Sequence, residues 1–265
     1  MPASIAAIQL PHTTLPGHAQ MEIDATLLEW ACASPGRVAF RTYDWAVPTL
    51  TLGRSEPYPR GWDPSAIAAA GVQVVRRPTG GDAVLHDGEV TFAVAASVPG
   101  PWAAGPRAFA GLVATALAAA IGDSGFAGTV VSAADQRMPA AAPGAHPCFA
   151  RLAAGEVRVG DHKVAGIASR FARGGALSHA SVPLSPRHRD VARFRDDEDD
   201  RDAALAALRE HARSLAELGG PTPDAAAFRA RLLYALEESF RVRARQGSFE
   251  EVGIPEFFRV PDSTP

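Results

Sequence analysis

The chain has 265 residues, of which 47% are hydrophobic and 21% charged, with a net charge of −3. That balance supports a sizeable core in one large domain, or a domain with a small appendage. The absence of a basic field and an aromatic content of 7% argue against nucleic acid as a partner. Alanine and arginine are heavily used while lysine is nearly absent, so a lysine inside a motif carries more weight than usual. Two cysteines, Cys32 and Cys148, are too few for a disulfide framework or a Cys-rich zinc site, so no metal is expected. Free thiols fit a reducing cytoplasm. The opening residues lack the charged region of a secretory signal, and the most apolar helical stretch, 108–122, is shorter than the roughly 20 residues a membrane span needs. The expectation is a cytoplasmic protein with no membrane segment.

In chain order, Met21, Ala25, Leu28 and Cys32 form one apolar stripe with Gly36 just beyond, which predicts a helix over 18–33. Val38, Phe40 and Thr42 alternate with their neighbours as a strand does, and 49–52 reads as a second strand. Asp63 and Pro64 suit the start of a short helix over 64–70. Strands are expected at 72–76, 83–86 and 89–98, and a helix at 106–121. The Ala-, Pro- and Gly-rich stretch 133–147 reads as a long loop. Strands at 156–159, 163–171 and 176–183 follow, joined by the turns Gly160-Asp161 and Gly174-Gly175. The dense charge of both signs over 187–202 reads as a solvated connection, followed by helices over 203–218 and 225–245. The plan is an α/β chain of the α+β type, a mixed and largely antiparallel sheet packed with helices over 1–185, then a charged connection and small helical part over 186–265.

Three segments carry chemistry. In the run Arg76-Arg77-Pro78-Thr79-Gly80-Gly81-Asp82-Ala83-Val84-Leu85-His86-Asp87, a strand ends in two guanidinium groups and enters a glycine turn. Glycines let backbone N–H groups approach an oxygen-rich ligand, and arginine offers a fork-shaped cation for phosphate or carboxylate. A hairpin turn with surface arginines satisfies the same pattern. In Lys163-Val164-Ala165-Gly166-Ile167-Ala168, the small residues leave space beside the sheet, and Lys163 can place an ammonium at its end. Taken alone, that lysine reads as a solvated turn residue, and His179 downstream as a structural or a pocket histidine. Cys148-Phe149 closes the long loop, where a thiol can serve as a nucleophile. Cys32 on the apolar helix face reads as a small hydrophobe.

These segments, in this order and spacing, resemble the biotin/lipoate protein ligase and transferase superfamily, most closely its cysteine-dependent octanoyltransferases of the LipM type. The resemblance rests on Arg76 to Gly81, Ala83 to Asp87, Glu89 with Thr91, Cys148-Phe149, Glu156, Gly160 and Lys163 to Gly166. Met21, Asp24, Leu27 and Leu28, and the strand bearing Arg41, Tyr43 and Trp45, extend it over residues 20–185. It implies that octanoyl-acyl carrier protein is the donor and that Cys148 carries the acyl group as a thioester. The acceptor would be a lysine of a lipoyl domain or glycine-cleavage H protein. Lys163 would hold the acyl carbonyl. Arg76, Arg77, Thr79, Gly80, Gly81, Ala83, Val84, Ala165, Gly166 and Ala168 would bind substrate, with His86 and His179 in the pocket wall. No cofactor is implied.

The pattern departs at Asp82, where relatives carry Gly or Arg, at Glu56 for a glutamine, and at Phe92, Ser169 and Ala180. A lipoate–protein ligase, which uses ATP with Mg2+ to form an acyl adenylate, is the main rival within the superfamily. Asp82 beside a phosphate site speaks against it and Cys148 for the transferase. Amidotransfer between two lipoyl-bearing proteins, and a non-catalytic acyl-binding protein of the same fold, are the other readings.

Overall fold

The computed structural model describes residues 5–134 and 147–254. Its elements run β1 (Ala6–Gln9), β2 (Thr13–Leu15), α1 (Gly17–Cys32), β3 (Arg37–Trp45), β4 (Thr49–Leu52), α2 (Pro64–Ala69), β5 (Gln73–Arg76), β6 (Val84–His86) and β7 (Glu89–Val98). There follow α3 (Pro106–Gly122), β8 (Gly128–Val130), β9 (Val157–Val159), β10 (His162–Ala172), β11 (Gly174–Pro183), α4 (Glu198–His211), α5 (Ala225–Phe240) and β12 (Arg245–Gln246). Most strands join one nine-stranded sheet in the order β12-β1-β3-β7-β11-β10-β9-β8, with β2 beside β3; β5-β4-β6 form a second sheet of three. The expected mixed, largely antiparallel sheet with helices is what the chain forms.

Strand periodicity decides what each face of the large sheet does. Phe40, Phe92 and Val94 point to one side and bury against Phe109, Leu117, Phe228 and Leu236 of α3 and α5. Fully burying such side chains contributes about 1.5–3 kcal/mol each. The opposite face carries small residues, Ala39, Ala93 and Ala95, over which α1 packs with Ile23, Leu27 and Ala31. Small side chains let that helix sit close, and on the same face they leave room for polar groups. The second sheet packs through Leu50, Leu52 and Leu85 against Trp62, Phe149, Val191, Phe194 and Leu208.

Several segments differ from the sequence expectation. The stretch 187–202 is no solvated connection: a 3-10 run, Pro186–Phe194, buries His188, Val191, Ala192 and Phe194, and α4 starts at Glu198 with Asp197 accepting from the Asp200 amide. Four apolar or neutral side chains among many charges suffice to anchor it. The helix expected over 203–218 ends at His211, and a separate 3-10 turn, Leu215–Glu217, follows behind a Ser214/Glu217 capping box. The last helix stops at Phe240, where Arg241 takes a left-handed φ of 53°, and the chain goes on to pair β12 with β1. Strands β1, β2, β8 and β12 were unforeseen, being two to four residues long and set by pairing partners distant in sequence. The proposed loop 133–147 lies almost wholly outside the described residues. Elements beyond Pro183 pack into the same clusters as those before it.

Gly53 fixes how the two segments of the small sheet meet. A Cβ there would lie 1.8 Å from the carbonyl oxygen of Gly81, a backbone atom that moves only with its turn. Gly53→Ala is expected to destabilise the protein by about 2–4 kcal/mol in chemical denaturation. Gly111→Ala, exposed in the interior of α3 with nothing within 4 Å of the added Cβ, is expected to stabilise it by about 0.5–1 kcal/mol. Equal, small effects at both positions would remove this account of the turn.

Candidate active site

Cys148 opens a one-turn 3-10 helix, Cys148–Ala150, whose Phe149 and Ala150 are buried in the small-sheet cluster. The Cys148 amide donates to the Ala83 carbonyl at 3.0 Å, which ties the cysteine to the chain leaving the glycine turn. Lys163 arrives from the far side. It stands near the start of β10, where the register with β9 shifts between Lys163 and Ala165. Such a bulge re-aims a side chain, and here it accompanies a lysine that is 1% exposed. The residues alone suggested a solvated turn lysine; the fold instead buries it. Its ammonium donates to the Cys148 carbonyl (2.8 Å), the Arg151 carbonyl (3.2 Å) and Glu156 Oε1 (2.6 Å), and lies 3.6 Å from the Cys148 sulfur. Burial pulls the Lys163 pKa down, but the Cys148 sulfur and the Glu156 carboxylate outweigh it, so the amine is held above its ordinary value. A lasting cation next to a nucleophilic sulfur can stabilise negative charge developing on an acyl oxygen.

The glycine turn is built by Arg77. Its guanidinium, 4% exposed, donates to the carbonyls of Thr51 (3.1 Å), Gly80 (2.8 Å) and Asp82 (2.8 Å). Arg76 turns outward and caps the carbonyls of Gly53 (2.7 Å) and Glu56 (2.8 Å). Gly81 holds a φ of 92°, a conformation only glycine takes freely. Glu56 closes the adjoining turn, accepting from the Gly53 amide at 3.0 Å. The Asp82 carboxylate pairs with Arg151, so it adds no unneutralised charge to the turn.

Behind the turn lies a buried polar chain. Thr79 Oγ1 bonds His179 Nε2 at 2.6 Å, and His179 Nδ1 bonds Asp24 Oδ2 at 2.9 Å. Asp24 also accepts from the Tyr43 hydroxyl at 3.1 Å and pairs with Arg41 at 3.6 Å. Burial holds the His179 pKa below the ordinary histidine value despite Asp24. Next to this chain Glu89 gathers His86 Nδ1 (2.5 Å), Thr91 Oγ1 (2.5 Å), Trp45 Nε1 (3.2 Å) and the Ser181 hydroxyl. Burial would raise the Glu89 carboxyl, but His86 and the hydroxyl donors hold it below its ordinary value. Thr51 satisfies the other nitrogen of His86 at 2.8 Å, and the Trp45 ring stacks on His86 with centroids 4.2 Å apart.

These networks turn their polar atoms toward one another, and the space they enclose is apolar. That cavity is narrow, about 30 Å³, and is lined by Met21, Tyr43, Trp45, Val84, Gly166 and Ile167 among others, with Cys148, Arg77, His86, Ala168 and His179 at its walls. A second, more polar cleft of about 370 Å³ meets it at Cys148, Arg77, Ile167 and Ala168, and holds Gly80, Gly81, Asp82, Arg151, Glu156 and Ser169. The cysteine therefore stands where an apolar chamber opens into a polar one. A Cβ on Gly166 would lie 3.3 Å from the Phe149 ring and 3.8 Å from the sulfur, so glycine keeps the strand close to the Cys148 side chain.

Of the residues expected to bind substrate, Arg77, Val84, His86, Gly166, Ala168 and His179 line the apolar cavity, while Gly80 and Gly81 line the cleft. Thr79 is buried behind His179, Ala83 and Ala165 are packed in the cores, and Arg76 lies outside. Sequence reasoning did not assign Asp24, Thr51, Glu89, Arg151 or Glu156 to the site. Asp24 had a legible signal, a carboxylate between Met21 and Leu28 on a stripe that must be buried. Among the described residues no group of three or more His, Cys, Asp or Glu could hold a metal ion, and no helix is long and apolar enough to cross a membrane.

The buried histidines make stability depend on pH. Burial lowers the pKa of both His179 and His188. The unfolded chain then binds their protons more readily, so the stability present above the ordinary histidine pKa of about 6.5 is lost as pH falls below it. The thermal midpoint is expected to fall between pH of about 7 and about 5. His188→Phe removes one of the groups and an unsatisfied Nε2 beside the Phe149 ring, and should flatten the slope. An identical slope in that variant would exclude His188 as a source.

Comparison with known proteins agrees with this geometry. Residues 16–237 match the model of the lipoyl protein ligase A/B catalytic domain. An octanoyltransferase LipM of Kyrpidia tusciae is 33% identical over 216 residues, covering 78% of this chain and 77% of the relative. A second, of Carboxydothermus hydrogenoformans, is 40% identical over 92 residues, so that the chain spans 34% of that relative's length. A third, of Anoxybacillus flavithermus, is 31% identical over 169 residues, 60% of its own length. Among solved structures, a bi-partite lipoate protein ligase of Thermoplasma acidophilum, studied with its E2 lipoyl domain, superposes with a TM-score of 0.70 at 18% identity, covering 94% of this chain and 91% of that one. A lipoate-protein ligase A bound with ATP superposes at 0.71 and 16% identity, covering 94% and 92%. At such identities these two show the fold alone. The extent of the family match decides the matter: the chain belongs to the family of lipoyl protein ligase A/B catalytic domains.

Proposed function

We propose that this chain is an octanoyltransferase of lipoate cofactor synthesis, moving an octanoyl group from octanoyl-acyl carrier protein to a lysine amine of a lipoyl domain or glycine-cleavage H protein. The observation that carries the reading is the placing of Cys148: its sulfur lies at the mouth of an apolar cavity, 3.6 Å from the buried Lys163 ammonium. The relatives named octanoyltransferase LipM support the acyl group and the class of reaction.

In the first step the Cys148 sulfur attacks the donor thioester; the carbon–sulfur bond to the carrier breaks and the carrier leaves as a thiol with the proton Cys148 gave up. The acyl chain lodges against the apolar walls of the cavity, which widens to admit it, and its carbonyl oxygen turns to the Lys163 ammonium. In the second step the acceptor amine attacks the Cys148 thioester. An amide forms, the amine proton passes to the departing sulfur, and the thiol is restored. No nucleotide enters the balance.

The arginines favour this reading over ATP-dependent ligation. A ligase must hold a phosphate at the glycine turn, yet Arg77 and Arg76 direct their donors to backbone carbonyls of the turn and its neighbour. Asp82, being paired with Arg151, repels a phosphate less than its charge alone suggests. The consumed Arg77 donors are therefore the stronger argument.

Cys148→Ser is expected to abolish octanoyl transfer and Cys32→Ala to leave it within about twofold, with a trapped octanoyl thioester mapping to Cys148 by intact mass. Transfer that persists in Cys148→Ala would remove the covalent route. Lys163→Ala should lower kcat by about 10²–10³-fold. Because it strands Glu156 in the interior, it should also cost about 3–5 kcal/mol of stability. With a lipoyl domain as acceptor, octanoyl transfer from the carrier protein should proceed without ATP, and free lipoate with ATP should give little modified acceptor. The reverse pattern would establish the ligase.

A further inference from the structure

A lysine ammonium has three hydrogens, and Lys163 sets them among three oxygen partners, two backbone carbonyls of the cysteine turn and the Glu156 carboxylate, with the Cys148 sulfur at 3.6 Å as a weaker acceptor. The carboxylate partner is itself immobile. Glu156 Oε2 accepts from the Ala153 amide at 2.8 Å, its own amide donates to the Ala153 carbonyl at 3.2 Å, and its carbonyl accepts from the Val131 amide at 2.8 Å. The carboxylate oxygen that reaches Lys163 thus projects from a turn clamped on both sides, beside the strand that leads to the polar cleft. The other charged groups around the lysine are accounted for: Arg151 is paired with Asp82, and Arg77 is bound to the glycine turn.

We propose that Glu156 is a positioning residue of the transfer site, holding the Lys163 ammonium at the cysteine turn while one of its hydrogens exchanges a backbone carbonyl for the acyl carbonyl. Of the three oxygen contacts, that to the Arg151 carbonyl is the longest at 3.2 Å and is the one given up. The catalytic part of this proposal rests on the transferase reading above. The hold of Glu156 on Lys163 does not.

The chain offers an unusually direct test, because Lys163 is its only lysine. Protein carrying isotope-labelled lysine gives a single side-chain NMR signal, whose titration follows Lys163 and nothing else. In the wild type the amine should remain protonated beyond the ordinary lysine pKa of about 10.4. In Glu156→Gln the midpoint should fall by about one unit or more, because a buried cation has lost its counter-charge. Glu156→Asp, which keeps the charge on a shorter arm, should lie between, and it decides the question should Glu156→Gln not fold. In the half-reaction without acceptor, Glu156→Gln should lower kcat for thioester formation by about 10²-fold with little change in donor KM, and Glu156→Asp should recover part of the loss. A lysine titration unmoved in both variants, or an unchanged kcat in a variant whose titration has moved, would overturn the proposal. Wild-type protein that forms no thioester at Cys148 would refute the transferase reading while the titration still decides whether Glu156 holds the lysine.

Discussion

The site depends first on a register. Strands β7 and β11 pair antiparallel along their whole length, with Thr91 opposite Ser181 and Ala93 opposite His179. Strand β10 continues the match by setting Gly166 opposite Ser181 and Ala168 opposite His179. Opposed residues share a face, so one layer of side chains, Thr91, His179, Ser181, Gly166 and Ala168, looks toward α1 and encloses the apolar cavity. A slip of one residue would send every one of them to the helical side occupied by α3 and α5. His179 would lose Asp24, and Glu89 would lose Ser181. The ladder hydrogen bonds thus do more than build a sheet. They choose which residues can meet.

Charge compensation is the second constraint, and it is met locally. Lys163 is balanced by Glu156, Arg151 by Asp82, Arg41 by Asp24, and His86 lies on Glu89. Burying any one of these groups alone would be costly, and two of the pairs join segments distant in sequence. The Asp24–Arg41 pair links α1 to β3, and Asp82–Arg151 links the glycine turn to the turn bearing Cys148. Polar atoms that satisfy one another leave the enclosed space to apolar surface. The cavity is apolar because of its polar walls, not despite them.

Much of this was written in the local sequence. The alternation of Val38, Phe40 and Thr42, the Asp63-Pro64 helix start and the small residues of 163–168 each report a local rule, and the structure follows each of them. The cysteine and lysine were legible as chemistry, though the residues alone gave Lys163 a solvated place. What was not legible depends on distant partners. Glu156 looks like any turn glutamate until β10 brings a lysine to it, and β12, a strand of two residues, exists only because β1 offers an edge. The same holds for Ala165, which its motif placed with Gly166 in the cavity. Ala165 is instead buried in the core that α3 and α5 cover.

The burial of the only lysine gives the surface of this protein an unexpected property. Lys163 is 1% exposed and engaged with three oxygen acceptors, so the folded chain presents no lysine amine to solvent. An activated acyl group held as a thioester is exposed to every nucleophilic amine that reaches it, including those of neighbouring copies of the same protein. Here the side chains of such copies have none to offer. On the transferase reading proposed above, self-modification through lysine is closed off, and a loaded thioester can wait at high protein concentration until a foreign amine arrives.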